Sequence, residues 1–252
     1  MSRRLVFILL VIGSLLVASA AFAQEEHGPA HWTYEGEEGP GHWGEISPDY
    51  AKCVDGSAQS PINVTHAQDA DLVDIAFDYG STNLNILNNG HTIQVNADAG
   101  SSITYNEVQF NLLQFHFHDP SEHEIDGAAA PMEMHLVHAN AVGDLAVVGV
   151  MLVEGAENPA FADVFNNLPA EEGEAPVAVS VDLSALLPAD QHFFTYGGSL
   201  TTPPCSENVR WLLLDTPVEL SHDQIAAFAA IIHDNARPVQ PLNTRDLFHD
   251  AS

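Results

Sequence analysis

The sequence predicts a single domain that is mainly β, with a few short helices set around a large, mostly antiparallel sheet. Three observations lead there. From Leu84 onward, short alternating or apolar runs recur at regular intervals. Turn residues such as Asn88-Asn89-Gly90 and Gly127 separate them. Only two stretches carry helical patterning, and neither an internal repeat nor a low-complexity linker divides the chain.

The chain opens with Arg3 and Arg4, then an almost wholly apolar run, Leu5–Val17, then Ala21-Phe22-Ala23. A positive start, an apolar centre and a small-x-small ending form the pattern of an export signal cleaved after Ala23. A transmembrane anchor fits less well, because the run is shorter than the roughly 20 residues that cross a bilayer. The expected organisation is a signal over residues 1–23 and one domain over residues 24–252, periplasmic or secreted. Residues 24–60 are rich in Gly, Pro and aromatics and read as an irregular arm, with His31-Trp32 and His42-Trp43 as packing anchors.

The expected strands are Leu84–Leu87, His91–Ala97, Glu107–His118, Met132–Asn140, Leu145–Val153 and Val209–Leu214. Ser221 and Gln224 form a capping box ahead of Ile225, Phe228, Ala229 and Ile232, which share one helical face. A shorter helix is expected over Pro159–Asn167, and the acidic stretch Ala170–Pro176 reads as an exposed loop.

Acidic residues number 35 against 6 Lys and Arg, for a net charge of −29. Such a surface repels phosphate backbones, which excludes nucleic acid and anionic membranes as natural partners. The same charge suits high solubility and also salt-rich surroundings, where counterions screen self-repulsion. The only two cysteines, Cys53 and Cys205, would enter an oxidising compartment. An even count there favours one disulfide, with two buried free thiols as the alternative.

Spacing matters more than number among the 14 histidines. A strand through Leu113–His118 puts Gln114, His116 and His118 on one face and turns Phe115 and Phe117 into the core. A strand through Met132–Val137 puts Glu133, His135 and Val137 on one face in the same way. Adjacent pairing of the two strands would bring three imidazoles together. Three neutral imidazoles suit one Zn²⁺ and leave a coordination position open, the mark of a catalytic site. Gln114 and Glu133, each two residues from a histidine, can accept a hydrogen bond from the ring nitrogen not bound to metal.

Six segments, in order, resemble the alpha carbonic anhydrases: Gln59-Ser60-Pro61-Ile62-Asn63; Asn88-Asn89-Gly90-His91; Gln114–His118 with Ser121-Glu122-His123; Glu133–His138; Gly198–Pro204; and Gln240–Asn243 with Arg245. They span nearly the whole chain after the signal. The resemblance implies a large twisted sheet and a conical cleft, with one zinc held by His116, His118 and His135. It also implies a Cys53–Cys205 pair, as in secreted bacterial members. The implied reaction is reversible hydration of carbon dioxide to bicarbonate and a proton by hydroxide on the zinc, with water as co-substrate.

Thr201 and Glu122 would orient the nucleophile, since a carboxylate can only accept the Thr201 proton. His91 would carry protons outward. Val137, Val147, Leu200 and Trp211 match the apolar side of the cleft, with Thr202 beside them. Tyr34, Asn89, His91 and Gln94 match the polar side. Asp119-Pro120 stands where animal members carry an aromatic residue, and Gln94 replaces a different polar residue of many relatives. A non-catalytic zinc-binding module of the same fold is the alternative reading, and a homodimer is compatible with the sequence.

Overall fold

The computed structural model describes residues 30–250, so the expected signal, residues 1–23, lies outside the described residues. At its centre is a 13-stranded sheet. Seven strands position the site: β1, Ser81–Asn88; β2, Ile93–Asn96; β3, Val108–His118; β4, Met132–Ala139; β5, Leu145–Glu154; β6, Phe193–Ser199; and β7, Glu207–Leu220. Their order across the sheet is β1-β2-β3-β4-β5-β7-β6. Neighbours are antiparallel except β5 and β7, which run parallel. Packing on both faces explains the near-continuous apolar run of β5, with Ala146, Val148, Val150 and Leu152 in one hydrophobic cluster and Val147 in the other. Ala146 to Leu152 are all buried, as a strand covered on both faces requires.

The six expected strands all form, with shifted ends. β2 begins at Ile93 rather than His91, because the Asn89 side-chain oxygen accepts the His91 and Thr92 N–H groups at 3.0 and 2.9 Å and keeps both in the turn. β3 begins one residue late because Asn106 and Glu107, both at positive φ, make a two-residue hairpin turn from the strand Ser102–Tyr105. β7 runs on past Leu214 to Leu220. β6 is not among the expected strands, and it carries two adjacent glycines, Gly197 and Gly198. The structure shows why Gly198 sits inside a strand: a Cβ there would strike the Ser60 hydroxyl and the Trp211 and Tyr196 rings.

The capping box forms as expected on α1, His222–Ala229, with Ser221 Oγ accepting from Gln224 N at 3.2 Å and Gln224 Oε1 accepting from Ser221 N at 3.0 Å. The helix stops before Ile232. The expected Pro159–Asn167 helix is a 3-10 turn, Pro159–Phe161, followed by one α-turn, Ala162–Phe165. The acidic loop is exposed, yet Gly173 and Glu174 pair with the end of β1. Of the four expected anchors in the arm, Trp43 is fully buried and Trp32 partly so, whereas His31 and His42 stay in water. An imidazole next to acidic residues gains more from solvent and from Glu38 or Glu45 than from packing.

The sheet separates two hydrophobic clusters. Phe115, Phe117, Met134 and Leu136 lie in the larger one. Each large side chain withdrawn from water there contributes about 2–3 kcal/mol. Period-two alternation then turns Gln114, His116, Glu133, His135 and Val137 to the other face of β3 and β4. The smaller cluster, with Val147, Tyr196, Trp211 and Leu213, lies beside those side chains. Cys53 and Cys205 form a disulfide across 152 residues. Among the described residues no helix is long and apolar enough to cross a membrane.

Candidate metal centre

β3 and β4 pair with His116 directly opposite His135 and His118 opposite Glu133. This register brings the three rings together, with centroids 4.6 to 5.2 Å apart. One ligand atom from each lies within 4.8 Å of the others.

Each ring has one nitrogen held by a fixed acceptor. His116 Nδ1 lies 2.8 Å from Gln114 Oε1, His118 Nδ1 lies 2.7 Å from the Asn235 carbonyl, and His135 Nε2 lies 2.9 Å from Glu133 Oε1. With those nitrogens protonated, the basic lone pairs fall on His116 Nε2, His118 Nε2 and His135 Nδ1. Among the described residues, His118 Nε2 is buried without a hydrogen-bond partner. A buried acceptor left open beside two more imidazoles is a donor set that could hold a metal ion such as Zn²⁺.

Burial favours the neutral form of His116 and His118, as ligation demands. Burial, followed by the neighbouring His118 and His135 rings, pushes the His116 pKa well below its ordinary value. Burial likewise takes His118 down to about 4, against the opposing pull of the Asn235 carbonyl. Glu133 behaves oppositely. Burial alone would raise its pKa, but His123 and His135 and their hydrogen bonds outweigh it and hold the carboxylate ionised.

Glu133 also organises residues beyond the three histidines. Its Oε2 accepts the Glu122 and His123 N–H groups at 2.9 Å each, and its Oε1 is 2.8 Å from His123 Nδ1. His123 Nε2 in turn meets the Tyr196 hydroxyl at 2.7 Å. His123, Glu133 and His135 thus also lie at metal-ligand spacing, but hydrogen bonds already join them. Gly149, opposite His135 on β5, makes room for this arrangement, since a Cβ there would crowd Leu213 and Glu133 Oε1.

Glu122 is fully buried, its Oε2 3.5 Å from His118 Nε2 and 3.9 Å from His135 Nδ1. Oε1 accepts from Arg237 N at 2.9 Å, while Oε2 lacks a hydrogen-bond partner among the described residues. Burial pushes its pKa up to about 7, against the pull of His135, the nearby Thr201 hydroxyl and Arg237 N–H. Thr201 is buried at the start of the turn after β6.

The expected apolar residues share one cluster: Val147 and Trp211 are buried in it, and Val137 and Leu200 pack against it. Val137 pairs with Val147, Val147 pairs with Trp211, and the Trp211 ring centre is 4.9 Å from that of His135. Trp211 is fixed by its Nε1–H, which donates to Ser199 O at 3.0 Å. Thr202 is half-buried, and its carbonyl accepts from Cys205 N at 2.8 Å.

His91 is half-buried and stacks on Trp32 with ring centroids 3.7 Å apart. Tyr34 packs edge-on to Trp32, Trp43 and His91. Gln94 lies opposite His116 in the β2–β3 register, its amide donating to Asn96 Oδ1 at 2.7 Å. Asn89 serves the turn, as described above.

Residues 38–251 match the model of the eukaryotic-type carbonic anhydrase family. The chain belongs to that family. A carbonic anhydrase of Pectobacterium carotovorum is 46% identical over 238 residues, covering 93% of this chain and 97% of that protein. One of Nostoc sp. is 47% identical over 224 residues, covering 85% of this chain and 84% of the other. The alpha carbonic anhydrase of Thermovibrio ammonificans, solved with sulfanilamide, superposes with a TM-score of 0.86 at 42% identity, covering 88% of this chain and 100% of that one. As an enzyme of the carbonic anhydrase family, the chain is a carbonate dehydratase, a lyase.

Three contributors to this carbonic anhydrase site escape sequence reasoning based on side-chain type. Asn235 acts on His118 through its backbone carbonyl, Arg237 acts on Glu122 through its backbone N–H, and Gly149 acts by lacking a side chain.

Proposed function

We propose that the chain hydrates carbon dioxide reversibly to bicarbonate and a proton, using one zinc ion held by His116 Nε2, His118 Nε2 and His135 Nδ1. The observation that supports this best is the pattern of ring nitrogens: three are fixed by acceptors, and the three free ones converge. Zinc in this donor set supplies Lewis acidity that makes hydroxide available near neutral pH.

The chain's own residues do the rest. Glu122 accepts the hydrogen bond of the Thr201 hydroxyl, which leaves a Thr201 lone pair to fix the orientation of the attacking oxygen. A cation at the three imidazoles favours the ionised form of Glu122 that this role needs. Val137, Val147, Leu200 and Trp211 offer carbon dioxide an apolar wall beside His135, and Thr202 borders it. Tyr34, Asn89 and Gln94 line the polar side, where ordered water can lead toward His91. His91 takes the released proton outward. Burial, and then the nearby His31, lower its pKa, while Glu172 raises it, so the ring is largely free to accept a proton at neutral pH.

The cleavable-signal pattern and the disulfide together support export, either to a periplasm or out of the cell. Stopped-flow hydration of carbon dioxide by the mature protein tests the function. Fast hydration that vanishes on chelation and returns with zinc is expected. A folded, zinc-loaded protein no faster than buffer would leave the non-catalytic module as the better account.

A further inference from the structure

Asn235 lies six residues beyond α1 and is 1% exposed. Five hydrogen bonds converge on it. Its amide Nδ2 donates to His91 O and to Phe117 O at 3.0 Å each, and its Oδ1 accepts from Asp119 N at 2.8 Å. Its own backbone accepts from His118 Nδ1 at 2.7 Å and donates to Asp119 O at 3.1 Å. The side chain therefore ties the turn that carries His91 to the end of β3 that carries His116 and His118.

We propose that Asn235 is a positioning residue for proton transfer, its amide holding the His91 backbone at a fixed separation from the metal ligands. The proposal rests on the reading above, in which His91 carries the proton. The residue type is demanding. The site needs two N–H donors and one acceptor in a single plane, at the reach of a one-methylene stem. Asp lacks the donors, and Ser offers only one. Transfer between fixed groups is steeply sensitive to geometry, and a displacement near 1 Å can cost about 100-fold. The stacked Trp32 orients the His91 ring and the Thr92 hydroxyl joins the same turn to Phe117, while the Asn235 amide is the group that holds the His91 carbonyl itself.

Asn235→Ser and Asn235→Ala both keep the backbone carbonyl on His118 and remove the amide link. In weak buffer kcat should fall roughly tenfold, with kcat/KM falling far less, and added imidazole should restore kcat by carrying the proton itself. In a His91→Ala background the Asn235→Ser change should add no further loss. A parallel fall of kcat and kcat/KM without imidazole rescue would overturn the proposal, as would unchanged kcat or failure of both variants to fold. The His91→Ala protein separates the two readings. If its kcat in weak buffer is undiminished, the His91 assignment itself fails. If it loses rescuable kcat while the Asn235 variants do not, only the Asn235 proposal fails.

Discussion

Glu133 Oε1 lies 2.9 Å from His135 Nε2 and leaves Nδ1 as that ring's only nitrogen free for a metal. The same oxygen holds His123, so the carboxylate is fixed from two sides before any ion binds. Outer partners of this kind raise ligand basicity and lock the tautomer. Glu133→Gln keeps the shape and removes the charge. Zinc affinity, measured by competition with a chromophoric chelator, should drop by roughly 10- to 100-fold. An unchanged affinity would mean the contact orients nothing.

His91 should limit turnover where buffer is scarce. His91→Ala is expected to lower kcat in weak buffer while sparing kcat/KM, and imidazole should restore it. The charge environment gives a finer test. His31 lowers the His91 pKa and Glu172 raises it. His31→Gln should therefore move the acid limb of kcat to higher pH, and Glu172→Gln to lower pH. Shifts of the opposite sign would assign that limb to another group.

Acid should weaken the fold through His138, a buried ring held by the Tyr79 hydroxyl at 2.7 Å and the Ala146 carbonyl at 3.2 Å. Burial takes its pKa from 6.5 to about 4, with the backbone hydrogen bonds opposing. Above the unfolded value both states are neutral and nothing is lost. Below it the unfolded chain gains a proton that the fold refuses, so stability declines from about pH 6.5 down to about pH 4. The full loss is of order 3 kcal/mol. Denaturant melts of metal-free protein across this range should show a shallower decline for His138→Gln. Parallel pH profiles would contradict the assignment.

Removing the Cys53–Cys205 bridge releases a loop of 152 residues. The chain-entropy account puts the loss near 5 kcal/mol at most, and strain or residual structure in the unfolded chain reduces it. Equilibrium unfolding of Cys53→Ser/Cys205→Ser against the unmodified protein checks this. A difference below about 1 kcal/mol would show that the bridge hardly constrains the unfolded chain.

Period-two alternation made β3 and β4 legible, because a strand with one buried face must repeat every second residue. Phe115 and Phe117 against His116 and His118 are unambiguous on that rule. The same rule gave no strand at β6, where Gly198 leaves its position without a side chain because Trp211, Tyr196 and Ser60 fill the space a Cβ would need. Pairing register is a long-range property: spacing puts His116 and His135 on the right faces, but only the adjacent pairing of β3 and β4 sets them opposite each other. Asn235 and Arg237 were invisible for a different reason. They reach His118 and Glu122 through backbone atoms, which every residue possesses, and no residue type announces such a contact.

The central claim is that His116 Nε2, His118 Nε2 and His135 Nδ1 together hold one zinc ion. Anomalous scattering at the zinc edge from crystals of the zinc-loaded protein tests it most directly. The account predicts one strong peak about 2.0–2.1 Å from each of those three nitrogens. A peak among His123, Glu133 and His135, or none within bonding distance of His116 and His118, would contradict it.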